Sequence, residues 1–112
     1  MSFAMPQTVV VRAVIVEVDA HLLRESVRVL EGELITAIHH AHTGEFDGYD
    51  IGQGTLRLFM YGPSAELLFR SVESVLRHFP LTQGASVTLR QGPPGALFRV
   101  VRLGESPEIR PP

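Results

Sequence analysis

The 112-residue chain contains no cysteine and no tryptophan, and only 7% of its residues are aromatic. The absence of cysteine excludes a disulfide framework, a cysteine nucleophile and a thiolate metal site. It also fits a reducing compartment, and we expect a cytoplasmic protein. The 10 basic and 12 acidic residues give a net charge of −2. This balance does not provide the strongly basic surface that nucleic-acid binding usually needs, so we expect no nucleic-acid partner.

Long apolar runs are also missing from the sequence. The longest purely apolar stretches, such as residues 9–11 and 13–16, are far shorter than the roughly 20 residues that span a bilayer. Met1 to Gln7 has neither a basic region nor a long apolar core, so we expect no signal peptide there. Hydrophobic residues make up 45% of the chain. We therefore expect one soluble domain with its own core and no membrane partner.

The first half of the chain predicts a strand and a long helix. Thr8 to Val18 is dense in β-branched residues, which is typical of a central strand buried on both faces. Asp19 is placed to cap a helix, and apolar residues spaced three and four apart continue to Ala41. Gly32 interrupts this stretch, so the helix is either continuous with a weak point or begins near Val29.

The second half predicts three more strands, a second helix and a short strand with a hairpin turn. Ser64 is placed to cap the second helix and Pro80 to end it. The predicted buried stripe of this helix is Leu68, Val72, Val75 and Phe79, widened by Leu67, Phe69 and Leu76. The short strand with its turn, the strand after it and the two final strands are predicted at residues 45–53, 55–61, 85–90 and 97–103.

The element order indicates an α+β fold. A strand–helix–strand–strand–helix–strand core is the ferredoxin-like arrangement. We therefore predict a ferredoxin-like two-layer sandwich, with an antiparallel sheet of four to five strands and two helices on one face. Residues 1–103 form this single domain. Residues 104–112 contain three prolines and are predicted to be a flexible tail.

Three short motifs give the chain a resemblance to known proteins. They are GEFDG at residues 44–48, YGPSAE at residues 61–66 and LRQGPPG at residues 89–95. The chain resembles a small uncharacterised bacterial family with a G-E-x-D-G … Y-G-P-[DS]-A-[DE] pattern, over about residues 30–103. The motifs consist mainly of turns and caps, so the resemblance implies fold more than function. Some relatives resemble immunity or other interaction proteins, which implies protein binding.

An acidic and aromatic segment follows the first helix. Three acids, Glu45, Asp47 and Asp50, alternate with Phe46 and Tyr49. Aromatic residues flanked by charge are common interface anchors, so we predict that a partner protein binds at this segment. Tyr49 is the better anchor because Phe46 can pack under the hairpin. The alternatives are a solvated hairpin, in which the polar residues serve the turn, or an acid–base or cation site.

Two histidines near the end of the first helix form a second candidate site. His39 and His42 are three apart and share one helix face, and Asp47 or Asp50 could add an oxygen ligand for a metal. Histidines at a helix C-terminus also interact with the helix dipole, and we favour this interpretation. We predict no bound transition metal and no other cofactor. No phosphate-binding or serine-nucleophile motif is present, so no catalytic residue is assigned.

Three functions remain open at this stage. The first is a binding protein of the bacterial cytosol without enzymatic activity, such as an immunity-type inhibitor of a partner protein. The second is a metal-dependent enzyme or a metal-binding protein that uses His39, His42, Asp47 and Asp50. The third is a small-molecule-sensing homodimer, because ferredoxin-like sheets often pair through an open face or an edge. The absence of a catalytic motif favours the first.

Overall fold

The computed structural model describes residues 6–15, 19–93 and 95–104, which form five strands and two α-helices. The elements are β1 (Gln7–Val14), α1 (Ala20–Ala41), β2 (Glu45–Gly52), β3 (Thr55–Gly62), α2 (Ala65–His78), β4 (Ser86–Arg90) and β5 (Phe98–Arg102). A 3-10 turn at Pro80–Thr82 follows α2 and was not predicted. The end of the predicted first strand, residues 16–18, and the predicted tail from residue 105 onward lie outside the described residues.

The five strands form one sheet in the order β2-β3-β1-β4-β5, and each neighbouring pair is antiparallel. Both helices contribute to a single core on one face of this sheet. The predicted α+β two-layer sandwich is therefore confirmed, with β5 as a fifth strand beside β4. Among the described helices, none is both long enough and apolar enough to cross a membrane.

Alternation along the strands decides which side chains enter the core. In β1, Val9, Val11 and Ala13 are buried while the residues between them are not. The same alternation buries every second residue of β3 and β4. The buried strand residues pack against one stripe on each helix, and the largest helix contributors are Leu30, Leu34, Ile38, Leu68 and Leu76.

Both helices begin at the predicted capping residues. The Asp19 carboxylate accepts hydrogen bonds from the backbone N–H groups of His21 and Leu22, at 2.8 and 3.4 Å. The Ser64 hydroxyl oxygen accepts one from the N–H of Leu67, at 3.2 Å. α1 continues through Gly32, so the alternative of a late start is wrong. These caps satisfy backbone donors that the first helical turn leaves free.

Two details of the predicted core are wrong. Leu67 is 56% exposed, because the α2 stripe that faces the sheet is centred on Leu68, Val72 and Leu76. Val75 and Phe79 do pack against the core as predicted, although each is only partly buried. β1 is buried on one face only, because both helices lie on the same side of the sheet. Its β-branched residues on the other face therefore reflect strand propensity rather than burial.

Adjacent leucines in α2 test this assignment of the core. We expect Leu68→Ala to lower the free energy of unfolding by about 2–5 kcal/mol, because it leaves a cavity in the core. Leu67→Ala should lower it by less than about 1 kcal/mol, because Leu67 is largely exposed. Chemical denaturation of both variants measures the difference. Equal losses would mean that α2 faces the sheet with a different stripe.

Two glycines of the family-like motifs hold the start of β2 against the end of β3. A Cβ added to Gly44 would lie 2.1 Å from the carbonyl oxygen of Tyr61. A Cβ added to Gly62 would lie 2.2 Å from the carbonyl oxygen of Thr43. Real Cβ atoms do not approach backbone this closely, so a larger residue at either position forces the two segments apart. These glycines are needed for chain contact rather than for chemistry.

Gly62→Ala should therefore destabilise the fold, by about 1–3 kcal/mol or more, since the added methyl group meets rigid backbone. Gly52→Ala is the matched control in the same hairpin, because a Cβ there meets nothing within 4 Å. We expect Gly52→Ala to leave the melting temperature nearly unchanged. Similar melting temperatures for the two variants would contradict the close approach of these segments.

Candidate functional site

The face of the sheet that the helices do not cover is the candidate interaction surface of the described residues. It carries the strand residues that alternate with the buried ones, and we call it the open face. Within the described residues, no helix or strand packs on it. Its exposed apolar side chains include Val14, Tyr61, Phe98 and Val100, and Val10 and Phe59 are half-buried. Large exposed apolar side chains on an uncovered sheet face can mark an interaction site.

The register of the strands arranges the open face in three rows that cross the sheet from β2 to β5. The upper row is Glu45, Tyr61, Thr8, Arg90 and Phe98. The middle row is Gly48, Phe59, Val10, Thr88 and Val100. The lower row is Asp50, Arg57, Arg12, Ser86 and Arg102.

The three rows differ in chemistry. The middle row has no charged side chain, whereas the lower row has three arginines and one aspartate. Across the sheet, the β2 side carries the acids Glu45 and Asp50, and the β4–β5 side carries Arg90 and Arg102. The open face therefore has an apolar centre, one acidic edge and an opposite basic edge.

The predicted acidic segment forms the strand β2, which lies at an edge of the sheet. A β-bulge at Asp47 shifts the register, so that Phe46 faces the helices while Gly48 faces the open side. Gly48 has a φ of 135°, which favours glycine. After the bulge, Tyr49 lies on the helix side, and Asp50 lies on the open face opposite Arg57.

The five predicted partner-binding residues are thus divided between two surfaces. Glu45 and Asp50 belong to the open face, whereas Phe46 packs against the core and Tyr49 is exposed at the helix-side edge. Asp47 is the extra residue of the bulge and is exposed. No single partner surface contains all five.

Asp50 is already engaged with Arg57. Its Oδ1 accepts a hydrogen bond from Arg57 Nε at 2.8 Å, and its Oδ2 accepts one from Nη2 at 2.7 Å. The hydrogen bonds and the charge of Asp50 raise the pKa of the Arg57 guanidinium above its ordinary value. The same guanidinium lies 5.7 Å from the centre of the Phe59 ring.

The histidines lie at the end of α1, away from Asp50. His42 is the helix C-cap with a left-handed φ of 55°, and His39 Nε2 lies 3.6 Å from a Glu45 carboxylate oxygen. Among the described residues, no three histidine, aspartate or glutamate side chains gather as metal ligands. The geometry therefore does not assemble the four residues of the metal hypothesis.

Two buried polar atoms without a hydrogen-bond partner belong to residues of the open face. Among the described side chains, the buried nitrogen and oxygen atoms without a hydrogen bond are Thr8 Oγ1 and Arg90 Nε. These residues are register neighbours in the upper row. Unpaired buried polar groups are uncommon because each costs free energy.

The comparisons with known proteins agree with the fold. No family model and no curated protein matches this chain. A solved structure, "Structure of Rv0793 from Mycobacterium tuberculosis", is similar, with a TM-score of 0.51 and 20% sequence identity. The alignment covers 75% of this chain and 91% of the Rv0793 chain. At this identity, the similarity supports the α+β fold and carries no activity across.

Sequence reasoning predicted a sheet with both helices on one face, but it did not assign the residues of the open face, because it took β1 to be covered on both sides. The available signal was the alternation of β3, where Arg57, Phe59 and Tyr61 share a face with no third apolar helix to cover them. In the sequence, only Gly48 hints at the bulge at Asp47. The sheet face on which Asp50 lies could therefore not be predicted.

An ion pair on the helix side ties the edge strand β5 to α2. Arg99 Nε and Nη2 donate to the Glu66 carboxylate at 2.9 and 2.7 Å. These hydrogen bonds, with the Arg99 charge, lower the pKa of Glu66 below its ordinary value of 4.5. A carboxylate with a depressed pKa stabilises the folded state above its unfolded pKa, and the contribution is lost as pH falls through the folded pKa.

Glu66→Gln should therefore destabilise the protein at pH 7, and the deficit relative to wild type should shrink toward zero as the pH falls well below 4.5. Glu33→Gln is the control, since Glu33 is exposed on α1 and has no ion pair among the described residues. Thermal melts of all three proteins across this pH range give the comparison. A Glu66→Gln deficit that stays constant with pH would contradict a role for the carboxylate charge.

Proposed function

We propose that this chain is a cytoplasmic binding protein that works through its open face, and that a second copy of the chain covers that face. The protein would then be a small-molecule-binding homodimer, the third function that the sequence left open. The observation that supports this proposal most strongly is the arrangement of the open face, with an apolar middle row between an acidic and a basic edge.

Away from its centre, this arrangement is complementary to itself. A two-fold axis parallel to the strands would place each row against the same row of the second copy, in reverse order. Glu45 would then lie over Phe98, beside Arg90, and Asp50, which already binds Arg57, would lie over Arg102. Val10, on the central strand, would face Val10 of the second copy, and Tyr61 would face Arg90. Complementary charges of this kind select the pairing and its orientation.

The area of the open face is also compatible with a dimer interface. Five strands about 4.8 Å apart span roughly 24 by 20 Å, a projected area of roughly 480 Å². The relief of the side chains makes the accessible area larger than this projection. A stable interface buries about 800 Å² of accessible surface on each partner. The open face is thus near the size that one interface of ordinary area needs.

Two exposure-matched valines test the pairing. Val100 lies in the middle row and is 53% exposed, and Val29 lies on α1 and is 55% exposed. We expect Val100→Asp to weaken the dimer by about thirty-fold or more, because an unpaired charge buried at an interface costs about 2–5 kcal/mol. Val29→Asp should leave it intact. Light scattering should give wild type about twice the 12.3 kDa mass of one chain.

A monomeric wild-type protein at high micromolar concentration would overturn the pairing. The immunity-type inhibitor would then be the better hypothesis, with β2 as its contact strand. β2 is an edge strand, and Tyr49 and Ile51 are both exposed on its helix side. Capture of a basic protein partner that Tyr49→Ala no longer binds would support that function.

A further inference from the structure

A shallow cavity lies at the lower end of the open face, where β1 meets the β2–β3 turn. Its volume is about 530 Å³, within the range of small-molecule sites. The lining residues are Arg12, Gly52, Gln53, Thr55 and Arg57. All of them belong to one copy of the chain, so the cavity does not need a second copy to be complete.

The side chains at this cavity carry more positive than negative charge. Arg12 and Arg57 are direct cross-strand neighbours, an unfavourable placement for two like charges. Asp50 neutralises Arg57 through two hydrogen bonds. The Arg12 side chain is exposed and makes no hydrogen bond or ion pair with the described residues. Among the described residues, the local charge is therefore about one positive unit, held by a guanidinium whose N–H groups bind no other described side chain.

The β2–β3 turn shapes the cavity. Gln53 has a φ of 52° and Gly54 a φ of 74°, which gives a two-residue hairpin turn with both residues left-handed. This conformation favours glycine or asparagine, so glutamine at the first position is strained. The Gly54 carbonyl accepts a 2.8 Å hydrogen bond from the N–H of Ile15, which fixes the turn against β1. The strained turn places the Gln53 amide at the cavity.

Gly52 keeps the cavity open. Its place in the alternation of β2 directs a side chain onto the open face, beside Thr55. A Cβ there would meet nothing within 4 Å, and its φ lies outside the range that requires glycine. Neither strain nor a close contact therefore explains this glycine, whereas a larger side chain would occupy the cavity.

We propose that this cavity binds the carboxylate of a small amphipathic acid. Arg12 donates two parallel hydrogen bonds to the carboxylate, the geometry in which guanidinium binds carboxylate best. The Gln53 amide N–H₂ is the second donor. The apolar body of the acid reaches the edge of the adjacent middle row beside Phe59. A single net positive charge suits a monoanion better than a phosphate dianion.

This inference rests on the proposed function only in that both use the open face. In the proposed dimer, the two Arg12 side chains would face each other near the axis, because β1 is the central strand. A bound carboxylate on each copy would offset their repulsion. The acid would thus be held where it also favours the pairing, which is the behaviour of a ligand sensor.

Titration with benzoate, followed by amide NMR shifts, tests the site. Benzamide is the neutral isostere, and inorganic phosphate is the competing anion. We expect benzoate to bind with a dissociation constant in the millimolar range and to shift the amides near Arg12 and Gln53. Arg12→Gln should weaken binding roughly ten- to hundred-fold, as expected for loss of a charged hydrogen-bonding partner. Gly52→Val should block the cavity, and Arg28→Gln on α1 is the control.

Three outcomes would overturn the site: benzamide or phosphate binding as tightly as benzoate, unchanged binding in Gly52→Val, or no saturation by about 50 mM benzoate. Light scattering on the same samples separates this inference from the proposed function. If the protein is a monomer and binds benzoate through Arg12, the carboxylate site is supported and the proposed dimer is wrong. If the protein is a dimer and does not bind benzoate, the proposed dimer is supported and the carboxylate site is wrong.

Discussion

Both helices of this protein bury their apolar stripes against one side of a five-stranded sheet. Leu30, Leu34 and Ile38 of α1 and Leu68 and Leu76 of α2 pack on the strand residues that point the same way. Because strand side chains alternate, this packing leaves the intervening residues on the opposite side without a covering layer. The open face and its chemistry follow from that one-sided coverage.

The open face combines three features. Its middle row is uncharged, its two edges carry opposite charge, and its orphaned polar atoms lie in its upper row. A surface exposed permanently to water gains nothing from Phe98 and Val100 on an edge strand, where apolar side chains invite association. We therefore read the face as an interface that is incomplete in a single copy.

The element order, both helix caps and most core positions were predictable because each rests on a local signal. Asp19 and Ser64 cap helices through contacts within three residues, and the alternation of β3 identifies its buried side directly. Features that depend on tertiary packing could not be predicted from the sequence. The exposure of Leu67 depends on how α2 lies on the sheet, and the bulge at Asp47 decides the face of Asp50. No short-range pattern contains either.

In the proposed dimer, a second copy of the chain covers the open face in solution. Val100 and Val29 are almost equally exposed in one copy of the chain, at 53% and 55%. A soluble paramagnetic agent, added to protein with labelled valine methyl groups, reports how much of each side chain solvent reaches. If a second copy covers the open face, the Val100 methyl signals relax much less than those of Val29 at high protein concentration, and the difference fades on dilution. Equal relaxation of both residues at every concentration would contradict it.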